Sequence, residues 1–241
     1  MKRINARGAP LLDDLPQPLP LTADRIAELA EGGALVVDTR PAEQFGEEHI
    51  PGAVFAGFGT NFHAWMGWIA PYDRDLVLVL TREAPLRYVV TALHQIGIDR
   101  IAGYLEGGML AWREAGYATA ALPRMTVDEL AANQRGAGRL PALDVRADDE
   151  WNTGHIAGAR HMYAGEIAQG ASPDGMLDPE TPATVICGTG YRSTVAASLL
   201  ATRGYTNLIN VVGGMVAWND AHLPVTRDAN DEETHVRTLD A

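Results

Sequence analysis

One cysteine dominates the chemistry available to this 241-residue chain. Cys187 follows the apolar run Ala183-Thr184-Val185-Ile186 and opens the segment Cys187-Gly188-Thr189-Gly190-Tyr191-Arg192-Ser193. The apolar run reads as a strand covered on both faces. Ser193 to Gly204 reads as a helix with Val195, Leu199 and Leu200 near one face and a glycine suited to its end. The cysteine therefore stands at the C-terminal end of a strand, where open α/β sheets bind ligands. Gly188 and Gly190 permit backbone conformations that a Cβ resists, so successive N–H groups can turn inward around one point. The helix N-terminus adds unpaired N–H groups and its positive dipole end, and an anion fits there: a Cys187 thiolate or a sulfur atom bonded to it. Cys187 is the candidate nucleophile and Arg192 the candidate anion-binding cation. Gly188, Thr189, Gly190, Tyr191 and Ser193 are expected to form the loop around the substrate, with Thr189 and Tyr191 shaping its mouth. A lone cysteine beside an apolar strand is ordinarily a small buried hydrophobe. Two glycines, an arginine and a helix start within seven residues argue against that bland role.

Composition limits the partners. Lys and Arg number 19 against 31 Asp and Glu, a formal net charge of −12, which opposes nucleic acid or an anionic membrane and favours a small soluble molecule. At 46% hydrophobic and 21% charged the composition is that of a globular protein. A single cysteine excludes an internal disulfide, a zinc site of several thiolates and a resolving thiol within the chain. The basic start, Met1 to Gly8, runs into proline-rich sequence rather than an apolar core segment, so a cytoplasmic location is expected. No His-x-His-x-Asp cluster is present, and neither a metal nor a cofactor is expected.

The elements that must position Cys187 occur twice. Val36-Val37-Asp38-Thr39-Arg40 recurs as Ala142-Leu143-Asp144-Val145-Arg146, and His49-Ile50-Pro51-Gly52-Ala53 as His155-Ile156-Ala157-Gly158-Ala159. Gly107-Gly108-Met109-Leu110-Ala111-Trp112 recurs as Gly213-Gly214-Met215-Val216-Ala217-Trp218. All three pairs lie 106 residues apart, too long for a solenoid unit, so the chain is a tandem duplication of a domain. The reading is an extended proline-rich arm over 1–20, a first domain over 21–122, a linker over 123–125, a second domain over 126–226 and an acidic tail over 227–241. Thr126 followed by Glu129 is a capping-box pattern that opens the second copy. Apolar runs such as Leu76 to Leu80 alternate with helical patterns, which predicts parallel sheets.

Taken together, Asp144-Val145-Arg146, Gly154 to Ala159, the Cys187–Arg192 loop and Gly213 to Trp218 resemble the rhodanese family of sulfurtransferases, in two copies covering nearly all of residues 21 to 226. The resemblance implies an α/β fold of two tandem rhodanese-like domains, each a parallel sheet of about five strands flanked by helices. It also implies a cysteine that becomes a persulfide, and donors such as thiosulfate, persulfides or mercaptopyruvate. Four residues separate Cys187 from Arg192. Cysteine phosphatases place five there, so the shorter ring suits one sulfur atom better than a tetrahedral phosphate, and phosphatase-like use of the fold becomes a minor alternative. In the first copy Cys187 maps to Thr81 and Arg192 to Leu86, or one residue earlier to Leu80 and Pro85, and neither register supplies a thiol. The first domain is therefore expected to be silent.

The stretch Met1 to Leu12, with Trp65-Met66-Gly67-Trp68 and Pro71-Tyr72-Asp73-Arg74, further resembles the C-terminal double-rhodanese portion of fusions with a metallo-β-lactamase-fold persulfide dioxygenase. The expected activity is transfer of sulfane sulfur from thiosulfate or a persulfide donor, through a Cys187 persulfide, to a thiol or cyanide. The alternative is a persulfide carrier or docking module for a persulfide dioxygenase-type partner. His49 and His155, and the Asp38/Arg40 and Asp144/Arg146 pairs, are expected to be structural, as is most of the aromatic stretch from Phe62 to Tyr72.

Overall fold

The computed structural model describes residues 17–81 and 86–227. Most of the proline-rich arm, the residues Arg82 and Pro85, and the tail beyond Arg227 lie outside the described residues. The first repeat comprises β1 (Leu19–Leu21), α1 (Ala23–Glu31), β2 (Leu35–Asp38), α2 (Ala42–Glu47), β3 (Val54–Phe55), α3 (Phe62–Ile69), β4 (Leu76–Val79), α4 (Leu86–Gln95), β5 (Ile101–Leu105) and α5 (Gly108–Glu114). The second comprises β6 (Arg124–Met125), α6 (Val127–Arg135), β7 (Ala142–Asp144), α7 (Asp148–Thr153), β8 (Arg160–His161), α8 (Ala164–Ala168), β9 (Ala183–Ile186), α9 (Tyr191–Ala201), β10 (Leu208–Val211) and α10 (Gly214–Asp220). Each repeat builds a five-stranded sheet, in the orders β1-β5-β4-β2-β3 and β6-β10-β9-β7-β8. The registered pairings are parallel throughout.

Two compact units emerge from the packing: the residues up to Pro41 with Ala56–Thr119, and Ala42–Phe55 with the residues from Ala120 onward. Strand β1 begins at Leu19, inside the stretch read from sequence as an arm, and Pro20 lies within it. An edge position allows this, because an edge strand can leave one side unpaired and so tolerates a residue without an N–H. Likewise Arg124 and Met125, read as linker, form the edge strand β6. The capping box forms as expected: the Glu129 amide donates to Thr126 Oγ1 at 3.3 Å and the Thr126 amide to Glu129 Oε2 at 2.7 Å.

Strand β9 lies between β10 and β7, and all four of its residues are buried, which explains its uninterrupted apolar pattern. Helix α9 departs from the one-sided face expected of it: every residue from Ser193 to Leu200 is buried. The alanines, serines and threonine of this helix are small enough to let neighbours approach on all sides, and their hydroxyls find local partners, as Ser198 Oγ donating to the Val195 carbonyl at 2.8 Å. No helix among the described residues is long and apolar enough to cross a membrane.

The repeated Asp-x-Arg motif is a buried ion pair at the end of β2 and of β7. Arg146 Nε donates to both Asp144 oxygens at 3.0 and 2.9 Å, and Nη2 donates to Oδ2 at 2.7 Å. Arg146 also donates to the carbonyls of Glu150 and Gly154, tying the end of β7 to α7. Asp38 and Arg40 repeat the bidentate pairing in the first copy. Removing one partner strands the other charge in the interior. Asp144→Ala is expected to cost about 3–5 kcal/mol of stability, read by urea unfolding followed by circular dichroism; a loss under about 1 kcal/mol would show the pair to be dispensable.

Candidate active site

The loop between β9 and α9 is shaped by backbone contacts before any side chain acts. Gly190 has φ of 107°, a value that side-chain-bearing residues rarely adopt, and it turns the chain into α9. Its N–H donates to Cys187 Sγ at 3.1 Å. The other wall is α10. The amides of Met215 and Val216 donate to the carbonyls of Cys187 and Gly188 at 2.8 and 3.0 Å. A Cβ on Gly214 would lie 2.3 Å from the Cys187 oxygen and 2.5 Å from that of Gly188. The Gly213-Gly214 pair thus permits a helix start to dock directly on the loop backbone.

Cys187 is 1% exposed, as an inert core cysteine would be, yet its polar surroundings are not those of a space-filling residue. Besides the Gly190 amide, Ser193 Oγ lies 3.4 Å from the sulfur. Behind Ser193 runs a buried chain of side-chain hydrogen bonds. Ser193 Oγ donates to Asn210 Oδ1 at 2.6 Å, Asn210 Nδ2 to Thr194 Oγ1 at 2.9 Å, and Thr194 Oγ1 to the Gly190 carbonyl at 2.7 Å. The chain starts beside the sulfur and returns to the residue whose amide reaches it.

Arg192 is partly buried and its guanidinium is engaged by Glu150. Nη2 donates to Glu150 Oε1 at 2.7 Å and Nη1 donates to Oε2. The hydrogen bond to Arg192 holds the Glu150 carboxyl below the usual carboxylate range, against the opposing effect of partial burial. The same bond raises Arg192 above its ordinary value, so both groups stay charged throughout the physiological range. Glu150 also accepts from the Ala147 amide at 3.3 Å, which fixes it over the first turn of α7. Thr189 is exposed, while Tyr191 is half-buried with its ring edge-on to Phe55 at 5.2 Å. Burial pushes the Tyr191 hydroxyl up to about 12. Of the two residues expected at the loop's mouth, Thr189 is thus the one open to solvent.

With this geometry in place, the comparison with known proteins is direct. The rhodanese-like domain model matches residues 22–115 and again 126–221. The chain belongs to the rhodanese family. It is 31% identical over 86 residues to the thiosulfate sulfurtransferase GlpE of Shewanella oneidensis, covering 36% of this chain and 82% of that one. It is 31% identical over 100 residues to thiosulfate sulfurtransferase 18 of Arabidopsis thaliana, covering 37% and 74%. Over 217 residues it is 26% identical to the probable adenylyltransferase/sulfurtransferase MoeZ of Mycobacterium tuberculosis, covering 88% of this chain and 50% of MoeZ. The chain spans about half the length of the longer curated relatives it matches.

Within this member of the family the remaining candidates fall into structural and exposed positions. His155 stacks on Trp151 with ring centroids 3.4 Å apart, and its Nδ1 meets the Trp151 carbonyl at 3.3 Å. His49 does the same with Phe45, at 3.9 and 2.8 Å. Each histidine thus packs its ring against the helix that precedes it. Phe62 and Met66 belong to the first unit's core, whereas Trp68 and Tyr72 are exposed.

Glu150 and Asn210 are the site residues that sequence reasoning passed over. Both come from elements distant in sequence, 42 residues before Arg192 and 17 after Ser193. One signal for Glu150 was available: the Asp and His motifs that bracket it repeat in the first copy, but position 150 maps to Gln44 there.

Gly214→Ala is expected to displace the loop and to cost about 1–3 kcal/mol through its positive φ and the collision with two carbonyls, measured by thermal unfolding beside the alkylation rate of Cys187. Wild-type stability and an unchanged alkylation rate would contradict the docking described. Because the folded-state value of Glu150 is depressed, its contribution to stability is complete at neutral pH and is lost as pH falls through that value. Glu150→Gln should therefore flatten the acid limb of the stability profile below about pH 4, in a urea-midpoint titration against wild type.

Proposed function

We propose that this rhodanese is a sulfurtransferase that moves sulfane sulfur in two steps through Cys187. In the first, the Cys187 thiolate attacks the outer sulfur of thiosulfate or of an organic persulfide. The donor S–S bond breaks, and its electron pair leaves with sulfite or with the donor thiolate. Arg192 steadies the departing anion, while the Gly190 amide and the rest of the loop hold the persulfide now on Cys187. In the second step an external thiol or cyanide attacks the outer sulfur and releases the cysteine. The first domain takes no chemical part, since Thr81 cannot store a sulfur atom. A lone thiol without a resolving partner suits a reducing, cytoplasmic compartment. The observation that carries this reading is the Gly190 N–H aimed at Sγ from a loop clamped by α10.

The 1% exposure of Cys187 favours a second reading of the same site. A sheltered persulfide could persist until a partner such as a persulfide dioxygenase collects it, making the protein a carrier with little turnover alone. Intact-mass measurement separates the two. After incubation with thiosulfate or a persulfide, the wild-type protein is expected to gain the mass of one sulfur atom, and Cys187→Ser to fold normally and gain none. Rapid clearing of the adduct by cyanide or glutathione, with ping-pong kinetics, marks an enzyme. An adduct that waits for a protein partner marks a carrier, and failure to load from any donor removes sulfur transfer altogether.

A further inference from the structure

The Arg192 fork does not face the loop as a bare cation. Its two terminal nitrogens are both engaged by the Glu150 carboxylate. Glu150 cannot swing away freely, because it accepts from the Ala147 amide and sits on a short helix that Arg146 holds at the Glu150 and Gly154 carbonyls. Asp148 and Asp149 share the first turn of that helix with Glu150, but of the three it is the Glu150 carboxylate that pairs with Arg192. The internal repeat makes the same point by subtraction. Where the first copy has Leu86 for Arg192 and Thr81 for Cys187, it has Gln44 for Glu150, although the bracketing Asp38, Arg40 and His49 are kept. The carboxylate accompanies the arginine and the thiol and is not part of the scaffold common to both copies.

Charge then discriminates between donors. Thiosulfate approaches as a dianion and releases sulfite as a dianion, whereas an organic persulfide approaches neutral or singly charged and releases a single thiolate. An unpaired arginine would attract the dianion strongly. An arginine neutralised at hydrogen-bond distance leaves the dianion facing a site of no net cationic charge, with a thiolate at its centre. Resting on the sulfur-transfer reading above, we infer that Glu150 is a specificity-determining positioning residue. By holding Arg192 in a neutral pair it directs the site toward organic persulfides of low charge and away from thiosulfate and other dianionic donors. The transfer balances: the Cys187 thiolate and R–S–SH give Cys187–S–SH and R–S⁻, with one S–S bond formed and one broken.

The test is the second-order rate constant for loading Cys187, followed by intact mass, with thiosulfate and with cysteine persulfide as the two donors. Wild type is expected to load from the persulfide at least about 10-fold faster than from thiosulfate, a factor in keeping with one unit charge at close range in a partly screened site. Glu150→Gln should raise the thiosulfate-to-persulfide ratio about 10-fold by the same reasoning. Glu150→Asp, which keeps the charge, should leave the ratio near wild type even if both rates fall. A purely structural Glu150 would change both donors alike, so an unchanged ratio in Glu150→Gln overturns the inference. So does a wild-type preference for thiosulfate, a result that stands even if the Gln variant does not fold. Loading from neither donor would instead sink sulfur transfer itself.

Discussion

Everything at the site depends on two backbone hydrogen bonds, from the Met215 and Val216 amides of α10 to the carbonyls of Cys187 and Gly188. A strand that ends in a glycine-bearing turn has no fixed shape of its own, and the cost of ordering it must be met by contacts elsewhere. Here a helix N-terminus, whose first amides lack partners within their own helix, meets the carbonyls at a strand end. The close approach is possible only because Gly214 has no side chain. Once the carbonyls point outward to α10, the chain is free to direct the Gly190 amide at the sulfur.

A second layer of order comes from charge placed without net charge. Asp144 and Arg146 pair in the interior, and Arg146 uses its remaining donors on carbonyls of α7. That fixes the helix carrying Glu150, which in turn fixes Arg192. The route runs from a buried pair that both copies possess to an accessible pair that only the second possesses. The duplicated scaffold and the residues mounted on it are thus separable in this molecule: the first copy keeps the buried pair while carrying Gln44 and Leu86 where the second has Glu150 and Arg192.

The parts of the architecture legible in the sequence were those governed by short-range rules: the 106-residue repeat, the apolar run of β9, the glycine turn after Cys187 and the Thr126–Glu129 capping box. Strand β1 was hidden because Pro18 and Pro20 signal an arm, and only the sheet order shows that the segment lies at an edge. Strand β6 is two residues long, too short for any period to register. The all-round burial of α9 was hidden for a related reason, since small hydroxyl-bearing residues pattern as polar until their local acceptors are seen. Glu150 and Asn210 depend on pairings across elements, which spacing along one chain cannot reveal.

The hydrogen-bond relay behind Cys187 has a sense of direction. The Gly190 carbonyl can only accept, so Thr194 must give its hydrogen there. Asn210 must then turn its NH₂ toward Thr194 and its oxygen toward Ser193. The lone hydrogen of Ser193 is drawn to that oxygen, and what faces the sulfur 3.4 Å away is a lone pair. To turn its hydroxyl hydrogen toward the sulfur, Ser193 would have to rotate about a single bond and let go of Asn210. The side-chain torsion of Ser193 is in this way tied, through the asparagine, to the peptide group at the mouth of α9.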